Sequence, residues 1–326
     1  MKGQNLAKKI REGDKKSLAK GITLVCSHLD QDKEESKGLL TEILKFKKDS
    51  YRIGVSGIGG VGKSTFIGVL GKYILGLNEK TKVAALTIDP SSPKAGGSIL
   101  GDGVRMGEFS SEERSFVRSV ANKGVPGGVS PQAQEIVYLL EAAGYDFILI
   151  ESVGSGQSDT SIASLCDVFV NLQMPASGDA IQAIKKGSSE LADFVVVHKN
   201  DGVLKTEAEK TKVFYQQAQS LQKITREQTF PRLVLVSSLE KKGFKELWEC
   251  LLKKKKEDLQ KGSLYKKREE QLEGLFEEQL SYVFKEVVFS KDAFSKKLRD
   301  SKKSLREKTS TPLLEARRIV ESFLES

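Results

Sequence analysis

Gly57-Ile58-Gly59-Gly60-Val61-Gly62-Lys63-Ser64 has the form G-x-x-x-x-G-K-[ST], and the residues on either side decide what that form means. Before it, Tyr51-Arg52-Ile53-Gly54-Val55 reads as a short buried strand; after it, residues 65–77 repeat apolar side chains at helical spacing. A glycine-rich turn between strand and helix lets successive backbone N–H groups converge on phosphate oxygens, and the helix adds the positive end of its dipole. Gly57, Gly59, Gly60, Val61 and Gly62 are therefore the expected cradle, with Thr65 beside it at the start of the helix. Lys63 is expected to reach the β and γ phosphates and the Ser64 hydroxyl to ligate Mg²⁺.

Further apolar runs at 83–88, 147–150, 166–172, 194–197 and 233–236 read as strands, alternating with helical stretches, which is the pattern of an α/β fold. With 326 residues the chain exceeds one typical domain. Residues 1–48 are expected to form a helical extension, 49–252 the phosphate-binding domain and 253–326 a helical arm. In the arm, Leu272, Leu275, Phe276, Leu280, Val283, Phe284 and Val287 make an apolar helical stripe.

The net charge of +9 is confined to the ends: residues 1–50 hold 12 basic and 8 acidic side chains, and residues 251–326 hold 19 and 14. Because Lys and Glu interleave there at helical spacing without aromatic stacking clusters, solvated helix faces are expected and no nucleic-acid partner. No run approaches the roughly eighteen apolar residues of a membrane span, and Met1 to Arg11 lacks a signal-peptide core. Three scattered cysteines, Cys26, Cys166 and Cys250, suit a reducing compartment, so a cytoplasmic protein without a membrane partner is expected.

Several loops at the expected carboxyl edge of the sheet carry candidate residues. The second strand ends in Asp89-Pro90-Ser91-Ser92-Pro93, and Asp102 and Arg105 follow in a glycine-rich stretch; acidic residues there are candidate Mg²⁺ organisers. Glu151-Ser152-Val153-Gly154 closes the next strand, from which Glu151 can reach the metal and the Gly154 N–H the γ-phosphate, while Gln157 is a candidate to orient an attacking water. His198-Lys199-Asn200-Asp201 resembles the Asn-Lys-x-Asp signature that reads guanine. The Asp201 carboxylate can accept from both N1–H and the exocyclic amine of guanine, and Lys199 can lie along the base or brace the phosphate loop. His198 replaces an Asn that mainly ties loops together. Ser237-Ser238-Leu239 is similar to the segment that closes over the base in GTPases.

Taken together, these segments resemble the MeaB/ArgK family of P-loop GTPases, chaperones of adenosylcobalamin-dependent acyl-CoA mutases once labelled transport kinases. The likeness covers about residues 51–240 and rests on Asp89-Pro90-Ser91-Ser92-Pro93 with Gly96-Gly97-Ser98-Ile99-Leu100-Gly101-Asp102, on Glu151-Ser152-Val153-Gly154-Ser155-Gly156-Gln157-Ser158, and on residues 178–187. It implies a mainly parallel central sheet flanked by helices, an N-terminal helical extension and a C-terminal arm used for homodimerisation. It also implies GTP or GDP as the bound nucleotide and Mg²⁺ held by Ser64, Asp89, Asp102 and Glu151. A mobile switch over about residues 174–185 follows from it, as do Arg105 and Lys185 as charges that move toward the phosphates when the mutase docks. This chain departs from the family pattern at His198, at Ser152 where Thr is common, and at both ends.

Rival readings come from other classes. A nickel- or other metal-insertion GTPase shares the acidic shell, but His28 and His198 lie far apart in sequence and no cysteines are paired. An RNA- or membrane-associated binding module suits the basic ends, but a methionine-rich or aromatic surface is missing. An ATP-dependent kinase of periplasmic transport proteins predicts ATP preference, whereas Asp201 predicts GTP.

Overall fold

The computed structural model describes residues 2–27, 29–46, 48–89, 106–121, 132–152, 162–175, 191–223, 231–289 and 292–324. Contacts divide the chain into two units, Met1–Glu269 and Glu270–Ser326.

The first unit begins with three helices, α1 (Lys2–Arg11), α2 (Lys15–Val25) and α3 (Asp30–Ile43). Asp14 caps α2 by accepting from the Ser17 backbone N–H at 3.0 Å. Leu18 and Ile22 on α2, Ile10 on α1 and Leu39 on α3 are all buried, so the periodic apolar positions of this extension close on one another.

Then come β1 (Tyr51–Gly57), α4 (Lys63–Leu77), β2 (Val83–Asp89), β3 (Ser115–Ala121), α5 (Ala133–Ala142), β4 (Phe147–Glu151), β5 (Val168–Gln173) and β6 (Phe194–Val197). The unit continues through α6 (Lys205–Lys223), β7 (Arg232–Leu235) and α7 (Phe244–Lys261) into the start of α8 (Ser263–Phe289). The seven strands form one sheet in the order β3-β2-β4-β1-β5-β6-β7, and every adjacent pair is parallel. Helices α1, α2 and α3 pack against α5.

Strand β3 is an element the sequence reading did not anticipate. Ser115, Arg118 and Ser119 interrupt its apolar run, and as an edge strand it has a single neighbour among the described residues, so its residues need not read as a continuous hydrophobic stretch. Central β1 has the opposite character, with all seven residues buried.

The core lies between the sheet and helices α4 and α7. Phe66, Ile67, Leu70 and Ile74 of α4, spaced for one helical face, pack with Val55, Leu149 and Val170 of the sheet and with Phe244, Leu247 and Trp248 of α7. Each such side chain contributes about 1.5–3 kcal/mol on burial. Cys166, expected as a small core hydrophobe, is fully buried, and burial pushes its thiol pKa up to about 12.

At the amino ends of β1 and β5 the core is closed by ions. Arg268, near the start of α8, forks onto Asp167 through Nε–Oδ1 at 2.7 Å and Nη2–Oδ2 at 2.8 Å, and donates to the Ser50 carbonyl at 2.6 Å. Asp167 also accepts from the Arg52 backbone N–H, and Arg52 pairs with Glu141 of α5 at 2.8 Å. Burial raises the Glu141 carboxyl pKa above its ordinary value, and Arg52 opposes that rise only in part.

The second unit contains α9 (Asp292–Arg306) and α10 (Pro312–Leu324), which pack on each other. Phe294 and Ile319 are buried, and Phe289 stacks on Phe294 with ring centroids 4.5 Å apart. The stripe on α8 includes exposed Phe276, Leu280, Val283, Phe284 and Val287.

Candidate functional site

Strand register brings the first pair of residues together. Val55 and Gly57 of β1 lie beside Glu151 of β4 and Leu172 of β5, so the loop leaving β1 starts next to the acidic end of β4. From there Val61 plunges into the core with no exposed surface, while Ile58 at the loop's tip stays half exposed. Gly62 then turns the chain into α4 with φ 97°, a left-handed conformation that also suits close packing, since a Cβ there would stand 2.9 Å from the His198 ring.

Two side chains follow from that turn. The Lys63 ammonium, largely buried, donates to the Gly57 carbonyl at 2.8 Å and the Ile58 carbonyl at 3.3 Å, which holds a positive charge within the loop. The Ser64 hydroxyl donates to Glu151 Oε1 at 2.9 Å. A hydroxyl and a buried carboxylate in contact are hard oxygen donors of the kind Mg²⁺ takes, so these two residues fit that ion. Thr65, next in sequence, is exposed.

The loops after β6 and β7 form the other half. Lys199, at a positive φ of 59°, donates to the Gly60 carbonyl at 2.9 Å and so braces the phosphate loop. Asn200 N–H donates to the Val236 carbonyl, and the Ser237 hydroxyl donates to Asp201 Oδ2, which fixes the plane of that carboxylate. Ser238 is buried and Leu239 is exposed at the tip of the same loop.

His198 ties the two halves together. Its Nδ1 lies 2.7 Å from the Val61 carbonyl and its Nε2 2.6 Å from the Ser238 hydroxyl. A carbonyl can only accept, so Nδ1 carries the proton and Nε2 of the neutral ring accepts from Ser238. Burial lowers the His198 pKa below its usual 6.5 and favours that neutral form. The imidazole, standing where the signature has Asn, spans from the phosphate loop to Ser238. Val61 and Ser238 were not foreseen as its partners, because a backbone carbonyl leaves no signature in sequence and the Ser238 hydroxyl lies 40 residues further along the chain.

Of the other candidate residues, Asp102, Arg105, Gly154, Gln157 and Lys185 lie outside the described residues, as does the side chain of Asp89, whose backbone ends β2. Among the described residues no three His, Cys, Asp or Glu side chains gather as a metal cluster, and none of the helices is long and apolar enough to cross a membrane.

Comparison with known proteins places these features in a wider set. The family described as Methylmalonyl Co-A mutase-associated GTPase MeaB matches residues 18–292. The GTPase ArgK of Escherichia coli K12 is 35% identical over 314 residues, covering 96% of this chain and 94% of that protein. The mitochondrial methylmalonic aciduria type A homolog of Caenorhabditis elegans is 38% identical over 279 residues, covering 82% and 70%. A crystal structure of a LAO/AO transport system kinase superposes with TM-score 0.73 at 30% identity, covering 99% of this chain and 97% of that one.

Proposed function

The chain belongs to the MeaB family of P-loop GTPases, and from that premise we propose that it hydrolyses GTP to GDP and phosphate in order to control an adenosylcobalamin-dependent acyl-CoA mutase. The observation that carries the chemistry is the 2.9 Å contact between Ser64 Oγ and Glu151 Oε1 at the foot of the phosphate loop. Ser64 and Glu151, with Asp89 and Asp102 in the family pattern, would hold Mg²⁺, which when bound neutralises charge on the β and γ phosphates.

The remaining work falls to the chain itself. Lys63 and the amides of residues 57–64 stabilise charge on the transferred phosphoryl group, in-line with a water that Gln157 or a nearby group aligns. Arg105 and Lys185 complete the charge clamp when the partner docks, which makes turnover slow without it. The Gly154 N–H adds a donor to the γ-phosphate. Asp201, its plane set by Ser237, selects guanine, while Ser238 and Leu239 close over the base.

In this reading the useful output is a shift in the mutase's conformational population, serving cofactor loading or reactivation, rather than a released product. The mitochondrial relatives named for methylmalonic aciduria support the choice of partner, and cysteines that form no disulfide among the described residues support a cytoplasmic setting. The exposed stripe on α8 supports a homodimer.

GTP hydrolysis measured with and without the cognate mutase tests the proposal. A faster rate with mutase and nucleotide-dependent reactivation of inactivated mutase are expected; absence of both would refute the chaperone role. The Asp201→Asn variant should move preference toward xanthine nucleotides, and unchanged GTP use would remove Asp201 from base reading.

A further inference from the structure

We propose that His198 is the positioning residue that locks the base-reading loop to the phosphate loop, and that it makes guanine-nucleotide affinity fall in mild acid. The inference rests on the guanine-nucleotide reading above. It concerns a residue that stands where the signature has Asn, so the consequence belongs to this chain.

The geometry is two-sided. Nδ1–H is committed to the Val61 carbonyl, one residue before the Gly62 turn into α4, and Nε2 is committed to Ser238, at the floor of the loop that would cover the base. The ring is held from its faces and edges as well: Phe66 of α4 meets it edge-on with centroids 5.8 Å apart, and Gly62 approaches so closely that a methyl group would not fit. Only 3% of the residue is exposed, so neither hydrogen bond is readily replaced by water. A single rigid ring thus fixes the distance between the element that binds phosphate and the one that binds base.

An Asn in this place could make similar bonds but could not titrate. Imidazole can, and protonation acts on one defined contact. With a proton on Nε2 the ring no longer accepts from Ser238; the hydroxyl must rotate to become the acceptor and aim its own proton elsewhere. Of the charged groups near the ring, Lys199 opposes the added charge and Asp201 favours it. Val61 and Gly62 of the loop, Phe66 of α4 and Ser238 bring no charge. Asp201 is already engaged by Ser237, so it cannot turn to the ring without giving up the orientation that guanine requires. A bound guanine would hold Asp201 in that orientation, whereas in the free chain Asp201 can turn toward a charged ring, so nucleotide binding favours the neutral ring and by linkage acid weakens binding.

The experiment measures affinity of the full chain for a fluorescent N-methylanthraniloyl derivative of GDP between about pH 5.5 and 7.5, in wild type, His198→Asn and His198→Ala. The wild type should lose affinity severalfold toward acid. His198→Asn should bind comparably to wild type near pH 7.5 while losing much less toward acid, because Asn restores the tie without a titrating group. His198→Ala should bind roughly ten- to a hundredfold more weakly across the range, as expected for two lost buried hydrogen bonds. Thermal unfolding without nucleotide checks that each variant is folded, and should His198→Ala fail to fold, the pH profiles of wild type and His198→Asn decide alone. Equal acid sensitivity in His198→Asn, or undiminished binding by folded His198→Ala, would overturn the inference while leaving the nucleotide site intact. No GDP binding by wild type at any pH would instead overturn the guanine reading on which it stands.

Discussion

Gly62 shows how much a single position can carry. Its φ of 97° is costly for any residue with a side chain, and the His198 ring 2.9 Å from a would-be Cβ removes the room for one. Gly62→Ala is therefore expected to lose about 1–2 kcal/mol of stability from backbone strain, and to weaken GDP binding by roughly tenfold or more as the ring shifts. Urea unfolding and nucleotide titration check the two effects separately. This residue was legible in advance because the G-x-x-x-x-G-K-[ST] spacing fixes where left-handed backbone must fall. The His198 tie was not, since its partners lie 137 and 40 residues away and one of them is a carbonyl.

Elements are placed by contacts that short motifs do not announce. Helix α4 carries Gly71 against Phe109, in the short 3-10 turn Gly107–Phe109, and a Cβ at Gly71 would stand 2.6 Å from the Phe109 ring. Gly71→Ala should raise helix propensity yet destabilise by about 1–3 kcal/mol through overpacking, and Gly71→Ala combined with Phe109→Leu should recover much of that loss in thermal melts. At the other end of the sheet, Arg268 closes the amino ends of β1 and β5. Removing it leaves Asp167, which is almost wholly buried, without its guanidinium, so Arg268→Ala should cost about 3–5 kcal/mol in urea denaturation. Arg268→Lys should recover little, because an ammonium cannot reproduce the fork onto both carboxylate oxygens and the Ser50 carbonyl. Both ends of this cluster were present in the sequence as ordinary charged residues, with no spacing to mark them. Strand β3 was hidden for a related reason: an edge strand can keep Ser115, Arg118 and Ser119 and still pair fully with β2 along its length.

For the molecule as a whole, the exposed stripe on α8 decides the expected assembly. Phe276 and Phe284, 65% and 61% exposed, lie on a helix that also exposes Leu272, Leu280, Val283 and Val287, with Leu275 buried, a large apolar surface for one chain to leave in water. On the homodimer proposal, Phe276→Glu with Phe284→Glu should convert the chain from dimer to monomer in light scattering without lowering the unfolding temperature of the nucleotide domain. An unchanged dimer mass would place the interface elsewhere.

The family resemblance implied a mainly parallel sheet; by itself the sequence determined the α/β architecture and the position of the phosphate loop. Those depend on local periodicity and on backbone conformations that only glycine adopts at low cost. Tertiary structure alone decided which loops are tied to which. Ser64 meets Glu151 through strand register, His198 bridges Val61 and Ser238, and Arg268 finds Asp167 across 101 residues, because folding sets those distances and the chain between the partners does not.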